Sequence, residues 1–179
     1  MDRKDLTQFE SAIGKLAMTW ALAELGLDKC VSSLFTTHGG STLRPKIPLN
    51  AGDKIRFFRQ AVQKASHLTH AGEYAAEIAD KMHIVLADRN WCIHGTALQM
   101  MEPEFGAATI VLTRQERPNL KGVEKKEVSL KDIERASFRC IRLSVAFGLF
   151  LWKPLGVLPK DTIHNAFRRL GIEVPDNWE

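Results

Sequence analysis

The sequence predicts a mainly α-helical protein: a four-to-five-helix up-and-down bundle with a small β-hairpin inserted between the third and fourth long helices. Three observations carry this reading. Apolar residues recur at three- and four-residue steps along four long stretches, turn-forming residues separate those stretches, and one segment between about 108 and 128 abandons the helical period for β-branched and alternating residues.

Leu6, Phe9, Ile13, Leu16, Trp20 and Leu27 share one helical face, predicting a first helix from about 4 to 26. Gly26 is expected to end it, with a short second piece at Val31, Leu34 and Phe35 before a turn-rich loop from Thr37 to Pro48. Ile55, Phe58, Val62 and Ala65 predict a second helix over about 51–68, with Lys54, Arg56 and Lys64 on its outer side. Ile78, Met82, Val85, Leu86 and Ile93 trace a third, closed near Gly95 by a residue suited to a helix C-terminus.

The apolar run from Ala108 to Thr113 and the alternating Val123 to Val128 predict the hairpin. Ser129-Leu130-Lys131-Asp132 has the form of a capping box, which predicts a fourth helix over about 130–152 with Ile133, Cys140, Phe147 and Leu151 inward. Pro154 and Pro159 then interrupt the chain, and Ile163, Phe167 and Leu170 mark a short terminal helix. Amphipathic helices in a chain this long bury their apolar stripes against one another, hence the bundle.

At 179 residues, 45% hydrophobic and 26% charged, the chain suits one folded domain and excludes a long disordered or collagen-like protein. Cys30, Cys92 and Cys140 are odd in number and too far apart for a CxxC motif, which predicts reduced thiols and a cytoplasmic location. The charged start, Met1-Asp2-Arg3-Lys4-Asp5, resembles no signal peptide. The most apolar run, Leu143 to Trp152, is half of what spans a bilayer, so no membrane partner is expected. A net charge of +4 permits a nucleic-acid ligand without requiring one.

The chemistry concentrates at the end of the third helix. A 100° step per residue puts His83, Ala87, Asn90 and His94 on one line beside the buried face, and Arg89 one step around it. The long arginine side chain can bring its guanidinium alongside the imidazole. Such a group suits phosphodiester cleavage without metal: an imidazole moves protons near neutral pH, and a guanidinium offers paired donors to a pentavalent phosphorus. His94 would be acid or base, Arg89 the phosphate clamp, and Asn90 would orient the substrate or the ring. A polar cluster at a helix end equally caps carbonyls or supports packing, and the residues by themselves leave both readings open.

Four further features qualify this reading. Glu24 interrupts the apolar line of the first helix and is expected to find a cation or a wet cavity, with Arg89 and Arg59 as candidate partners and a structural ion pair and a catalytic acid as equal readings. It and His83 are auxiliary site residues. Arg114, Arg117, Lys121, Lys125 and Lys126, with Lys131 after them, crowd the insertion and form an RNA-binding candidate, diluted by Glu116, Glu124 and Glu127, lacking an aromatic to stack on, and set against the reading of a solvated hairpin. His67 and His70 form HxxH, but Thr69 and the neighbouring turn signals argue against helical continuity; His38 and His164 read as isolated surface histidines. No metal or other cofactor is expected.

The segment Arg89-Asn90-Trp91-Cys92-Ile93-His94-Gly95 resembles the RxxxxH signature of HEPN domains, in which a polar residue, often Asn, follows the arginine. The order of elements is similar too: a bundle, the motif at the end of its third long helix, a variable insertion and a closing helix. The resemblance covers residues 1–152 and leaves 153–179 as a C-terminal extension whose short helix packs on the bundle or on a dimer partner. It implies a metal-independent RNA endoribonuclease, a toxin or defence protein, whose motifs face each other across a homodimer and which in some cases pairs with an antitoxin. Attack by the 2′-hydroxyl would leave a 2′,3′-cyclic phosphate. The family equally implies an alternative, a non-catalytic HEPN-fold protein that binds nucleotides or RNA or acts as a scaffold.

Overall fold

The structure, a computed structural model, describes residues 3–101, 109–115 and 123–157. It is a helical bundle with a small β insertion. Helices α1 (Arg3–Thr36), α2 (Ala51–Lys64), α3 (Gly72–His94) and α4 (Leu130–Trp152) form the bundle, and strands β1 (Thr96–Met101), β2 (Thr109–Gln115) and β3 (Val123–Ser129) lie between α3 and α4. The terminal helix expected around Ile163 to Leu170 lies outside the described residues.

Helix starts follow local chemistry. Asn50 caps α2 by accepting the Asp53 backbone N–H at 2.8 Å. At α4 the capping box closes in both directions: Asp132 N–H donates to Ser129 Oγ at 3.2 Å, and Ser129 N–H and Oγ–H donate to Asp132 Oδ2 at 3.1 and 2.6 Å. These bonds, the Ser129 hydroxyl's first, hold the Asp132 carboxyl below its ordinary value.

The chain forms two compact units, Met1–Leu22 with His83–Ile141, and Ala23–Met82 with Arg142–Glu179. The first holds the sheet, a meander of order β1-β2-β3 with both pairs antiparallel. It has one strand more than the expected hairpin, because β1 takes up directly after α3 and pairs with β2 through an irregular register between Ala97 and Gln99. Ile110 faces Val128 across β2 and β3, and both are buried. Phe9, Leu16, Trp20, Val85, Leu112, Ile133 and Cys140 are the other main buried side chains of this unit.

In the second unit Phe58 sets its ring edgewise against Phe147 and Phe150, with centroids 5.5 and 4.9 Å away, and Tyr74 stacks on Phe150. Leu27, Leu34, Ile55, Leu68 and Met82 complete its core. Here α1 departs from expectation: it continues through Gly26 to Thr36 without a break. A Cβ at position 26 would lie 2.7 Å from the Cβ of Phe147, so this glycine admits α4 to close approach instead of ending a helix. The expected second piece at Val31, Leu34 and Phe35 is the last third of the same helix. The region after α2 also differs: Ser66–Ala71 coils as a 3-10 segment, ending α2 at Lys64 and separating it from α3.

The same substitution on one helix should therefore have opposite signs. Gly14→Ala meets no atom within 4 Å and should raise stability by about 1 kcal/mol through helix propensity. Gly26→Ala gains that term but forces Phe147 aside, an overpacking cost of about 1–3 kcal/mol, and should destabilise on balance. Urea unfolding of the two variants beside wild type measures both.

Candidate functional site

The last turns of α3 carry the site. Arg89 Nη1 lies 2.9 Å from His94 Nε2 and donates to Asn90 Oδ1 at 3.1 Å. A guanidinium has no lone pair, so the first contact requires Nε2 to be the acceptor and leaves the ring proton of the neutral tautomer on Nδ1. Both bonds leave from the same nitrogen, and among the described residues nothing accepts from Nη2. Arg89 Nε is buried and without a hydrogen-bond partner among those residues. Below it the guanidinium carbon stands 5.9 Å from the centre of the Trp20 ring, a buried residue of α1. Arg89 and Asn90 are half-buried and His94 is exposed, so the cluster opens to solvent on the histidine side.

The neighbouring residue fixes this turn to the rest of the unit. Asp88 takes Lys126 Nζ of β3 at 3.0 Å on one oxygen and Arg139 of α4 at 3.8 Å on the other. The chain then leaves α3 within one residue, at Gly95, whose N–H donates to the Trp91 carbonyl at 2.9 Å. A Cβ here would collide with that carbonyl oxygen and sit 3.2 Å from Leu112 Cβ. Steric access, and not the left-handed conformation usual for a terminating glycine, is what position 95 requires. It lets β1 begin beside β2 immediately after His94.

Of the residues singled out from sequence, Arg89, Asn90 and His94 are brought together. His83 is exposed, on α3. Glu24 does find a cation, but the cation is Lys54, 3.6 Å away and also 2.6 Å from Asp28. The two expected candidates are engaged elsewhere, Arg59 with Asp80 at 2.8 Å and Arg89 as described. Glu24 and Lys54 belong to the second unit, and an ion-paired role there accounts for the carboxylate. Among the proposed RNA-binding cations, Lys125 is exposed on β3, while Lys126 is half-buried in its pair with Asp88 and is structural. Arg114 stands opposite Glu124 in the β2–β3 register; Arg117 and Lys121 lie outside the described residues.

His67 pairs not with His70 but with His38, which sequence left isolated. His38 Nδ1 and His67 Nε2 are 2.8 Å apart, the ring planes differ by 23° and the centroids are 5.1 Å apart. That separation is the nitrogen–nitrogen distance plus roughly one ring radius at each end, so the rings lie edge to edge with one N–H aimed at one lone pair. Lone pairs aimed along a common line do not converge on a metal, and among the described residues no three His, Cys, Asp or Glu side chains do so. Burial, then the charge of His67, makes His38 a weaker base than usual. In the same unit a depression of about 520 Å³ is lined by His70, Tyr74, Leu149, Trp152 and Pro154, with Lys153 over the Trp152 ring.

The three thiols are buried. Burial pushes Cys92 up to about 11, with Asp88 adding and Lys126 opposing, and pushes Cys140 to about 11; Cys30 is raised by burial alone. A thiol of that kind is neither a nucleophile nor a redox group at neutral pH, so no cysteine competes with His94 for the chemistry of this turn. No helix among the described residues is long and apolar enough to cross a membrane. Comparisons with protein-family models, with curated proteins and with solved structures found no match.

Two measurements follow from these environments. At pH 8 dithiobis-nitrobenzoate should leave all three thiols of the folded chain unmodified and titrate all three in guanidinium chloride; fast labelling of Cys92 in the native state would contradict its burial. The depressed basicity of His38 means that the unfolded chain binds the extra proton first. Its contribution to stability is whole above the ordinary value of 6.5 and is lost as pH falls through the lower folded value. The drop in urea midpoint from pH 7.5 to pH 5 should therefore be smaller for His38→Gln than for wild type.

Proposed function

We propose that this chain is a metal-independent RNA endoribonuclease of HEPN type, acting in the cytoplasm as a toxin or defence nuclease. The observation that carries the reading is the 2.9 Å contact of Arg89 Nη1 with His94 Nε2, with Asn90 on the same nitrogen. The RxxxxH spacing predicts that convergence, and a packing role does not require the imidazole to be exposed.

The chemistry is one transesterification. The 2′-oxygen attacks the adjacent phosphorus as its proton passes to an imidazole base, and the 5′-oxygen leaves in line, taking a proton from an acid. The products are a 2′,3′-cyclic phosphate and a 5′-hydroxyl. His94 serves at its Nε2, which accepts a proton once the Arg89 bond is given over to substrate. Arg89 then directs Nη1 and Nη2 at the non-bridging oxygens as negative charge builds on phosphorus. The Trp20 face beneath holds the guanidinium plane in place for this, so that little reorganisation is needed. Asn90 Oδ1 keeps one N–H of Nη1 occupied and fixes the direction of the rest. One imidazole cannot be acid and base at once in a single step, so the reading calls for a second copy of the motif, supplied by a homodimer.

The test is incubation of purified wild type, His94→Ala and Arg89→Ala with total RNA in excess chelator, followed by analysis of fragment ends. Wild type should cut and leave cyclic phosphate ends, and each variant should be slower by about 100- to 10,000-fold with an unchanged thermal midpoint for His94→Ala. Strict dependence on magnesium, or cutting by His94→Ala at the wild-type rate, would refute the mechanism. Binding without cutting by wild type would favour a non-catalytic RNA-binding module on the same fold.

A further inference from the structure

The exposed side of α4 has a feature that neither the core nor the Arg89 cluster explains. Phe138 is 59% exposed, on a helix whose other phenylalanines, Phe147 and Phe150, are fully buried. Removing such a ring from water is favourable, so a phenylalanine left exposed on an otherwise charged face stands out. Its surroundings are cationic. On an α-helix Lys131 and Arg135 fall about 20° and 60° around the axis from Phe138, one or two turns before it, and Arg139 follows at about 100°. Lys131 is exposed, and the side chains of Arg135 and Arg139 are each about half exposed.

The nearest acids pair with two of these cations, at 3.4 and 3.8 Å, and leave all three exposed to solvent. Asp132 has its carboxylate taken by the Ser129 cap, with Arg135 at 3.4 Å from its other oxygen. Glu134 lies on the opposite flank of Phe138, about 40° around the axis from it on the side away from the cations. Arg139 reaches Asp88 at only 3.8 Å and shares it with Lys126, and Asp88 directly precedes Arg89. Within this unit Lys131, Arg135 and Arg139 thus line one side of α4, and Arg139 reaches Asp88, the residue before Arg89.

We propose that this face of α4 is a landing strip for single-stranded RNA: Lys131, Arg135 and Arg139 take successive phosphates, and Phe138 stacks on an unpaired base. The inference rests on the endoribonuclease reading for its choice of polyanion, and supplies an aromatic, which the basic stretch from Arg114 to Lys126 lacks. A ring flanked on one side by cations matches a strand whose charged backbone and stacked bases run in parallel. It fits a duplex poorly, since paired bases offer no face to the ring. The preference is for unpaired strand and is indifferent to sequence, because every base has a face to stack.

The test uses the full chain carrying His94→Ala, so that RNA survives, and fluorescence anisotropy with a labelled 12-nucleotide oligouridine. Phe138→Ala should weaken binding about ten-fold, and Phe138→Trp should retain it. Lys131→Ala with Arg135→Ala should lower the slope of log affinity against log salt by about 1.4, two phosphates at about 0.7 each. Thermal midpoints should not change, since all three side chains are exposed. Unaltered affinity and slope in both variants would overturn the proposal. So would a change in oligomeric mass on Phe138→Ala without any loss of RNA, which would make the face a contact between copies. The two readings fail separately: cutting by wild type with Phe138 irrelevant to binding removes the strip alone, and Phe138-dependent binding with no cutting removes the nuclease alone.

Discussion

In the unit that holds the candidate site, everything turns on how one guanidinium is held. Arg89 sits half-buried, with Trp20 under its plane, Asn90 and His94 on one nitrogen and its Nε shut away from solvent. A charge so placed has given up part of its hydration, and what replaces water is a set of fixed partners. The arrangement leaves Nε without a hydrogen-bond partner among the described residues, at the cost of its hydration. The surrounding features serve this placement. Asp88 ties the turn to β3 and α4 through Lys126 and Arg139, and Gly95 ends the helix without a side chain to push Leu112 and β2 away.

The second unit solves a different problem, packing large rings among helices. Phe58, Phe147, Phe150 and Tyr74 interlock edge to face and in parallel, and that density is reached because α1 offers no Cβ at Gly26 where Phe147 lies. Polar side chains there pair with one another: Lys54 takes both Asp28 and Glu24, and one hydrogen bond joins the imidazoles of His38 and His67, while His38 Nε2 is buried without a hydrogen-bond partner among the described residues. The His38–His67 bond is available only while one ring keeps a lone pair, so acid weakens this unit at a point unrelated to Arg89.

Residue patterns report neighbours along a helix well and neighbours across the fold poorly, and the particular successes and failures divide that way. The span of α4, its capping box, and the meeting of Arg89 with Asn90 and His94 depend on residues no more than five apart, and all were legible. Gly26 and Gly95 were visible as glycines but misread in their reason: Gly26 answers to Phe147, far away in the chain, and Gly95 to the Trp91 carbonyl four residues back and to Leu112. Glu24 was rightly assigned a need for a cation and wrongly assigned its candidates, since any of several basic residues satisfies the same requirement. The link of His38 to His67 and the exposure of Phe138 left no local signal at all: a phenylalanine at a helical position ordinarily reads as core.

The sequence by itself determined the helical class, the place of the β insertion, the ends of α3 and α4 and the composition of the Arg89 cluster, because each follows from hydrogen bonding and amphipathic period within a few residues. Only the tertiary structure decided that α1 is unbroken, that a third strand joins the insertion, that Lys126 is a structural partner of Asp88, and that Phe138 is left in water. Those outcomes depend on which distant surfaces come to lie together, and burial is a property of that meeting and not of the residue.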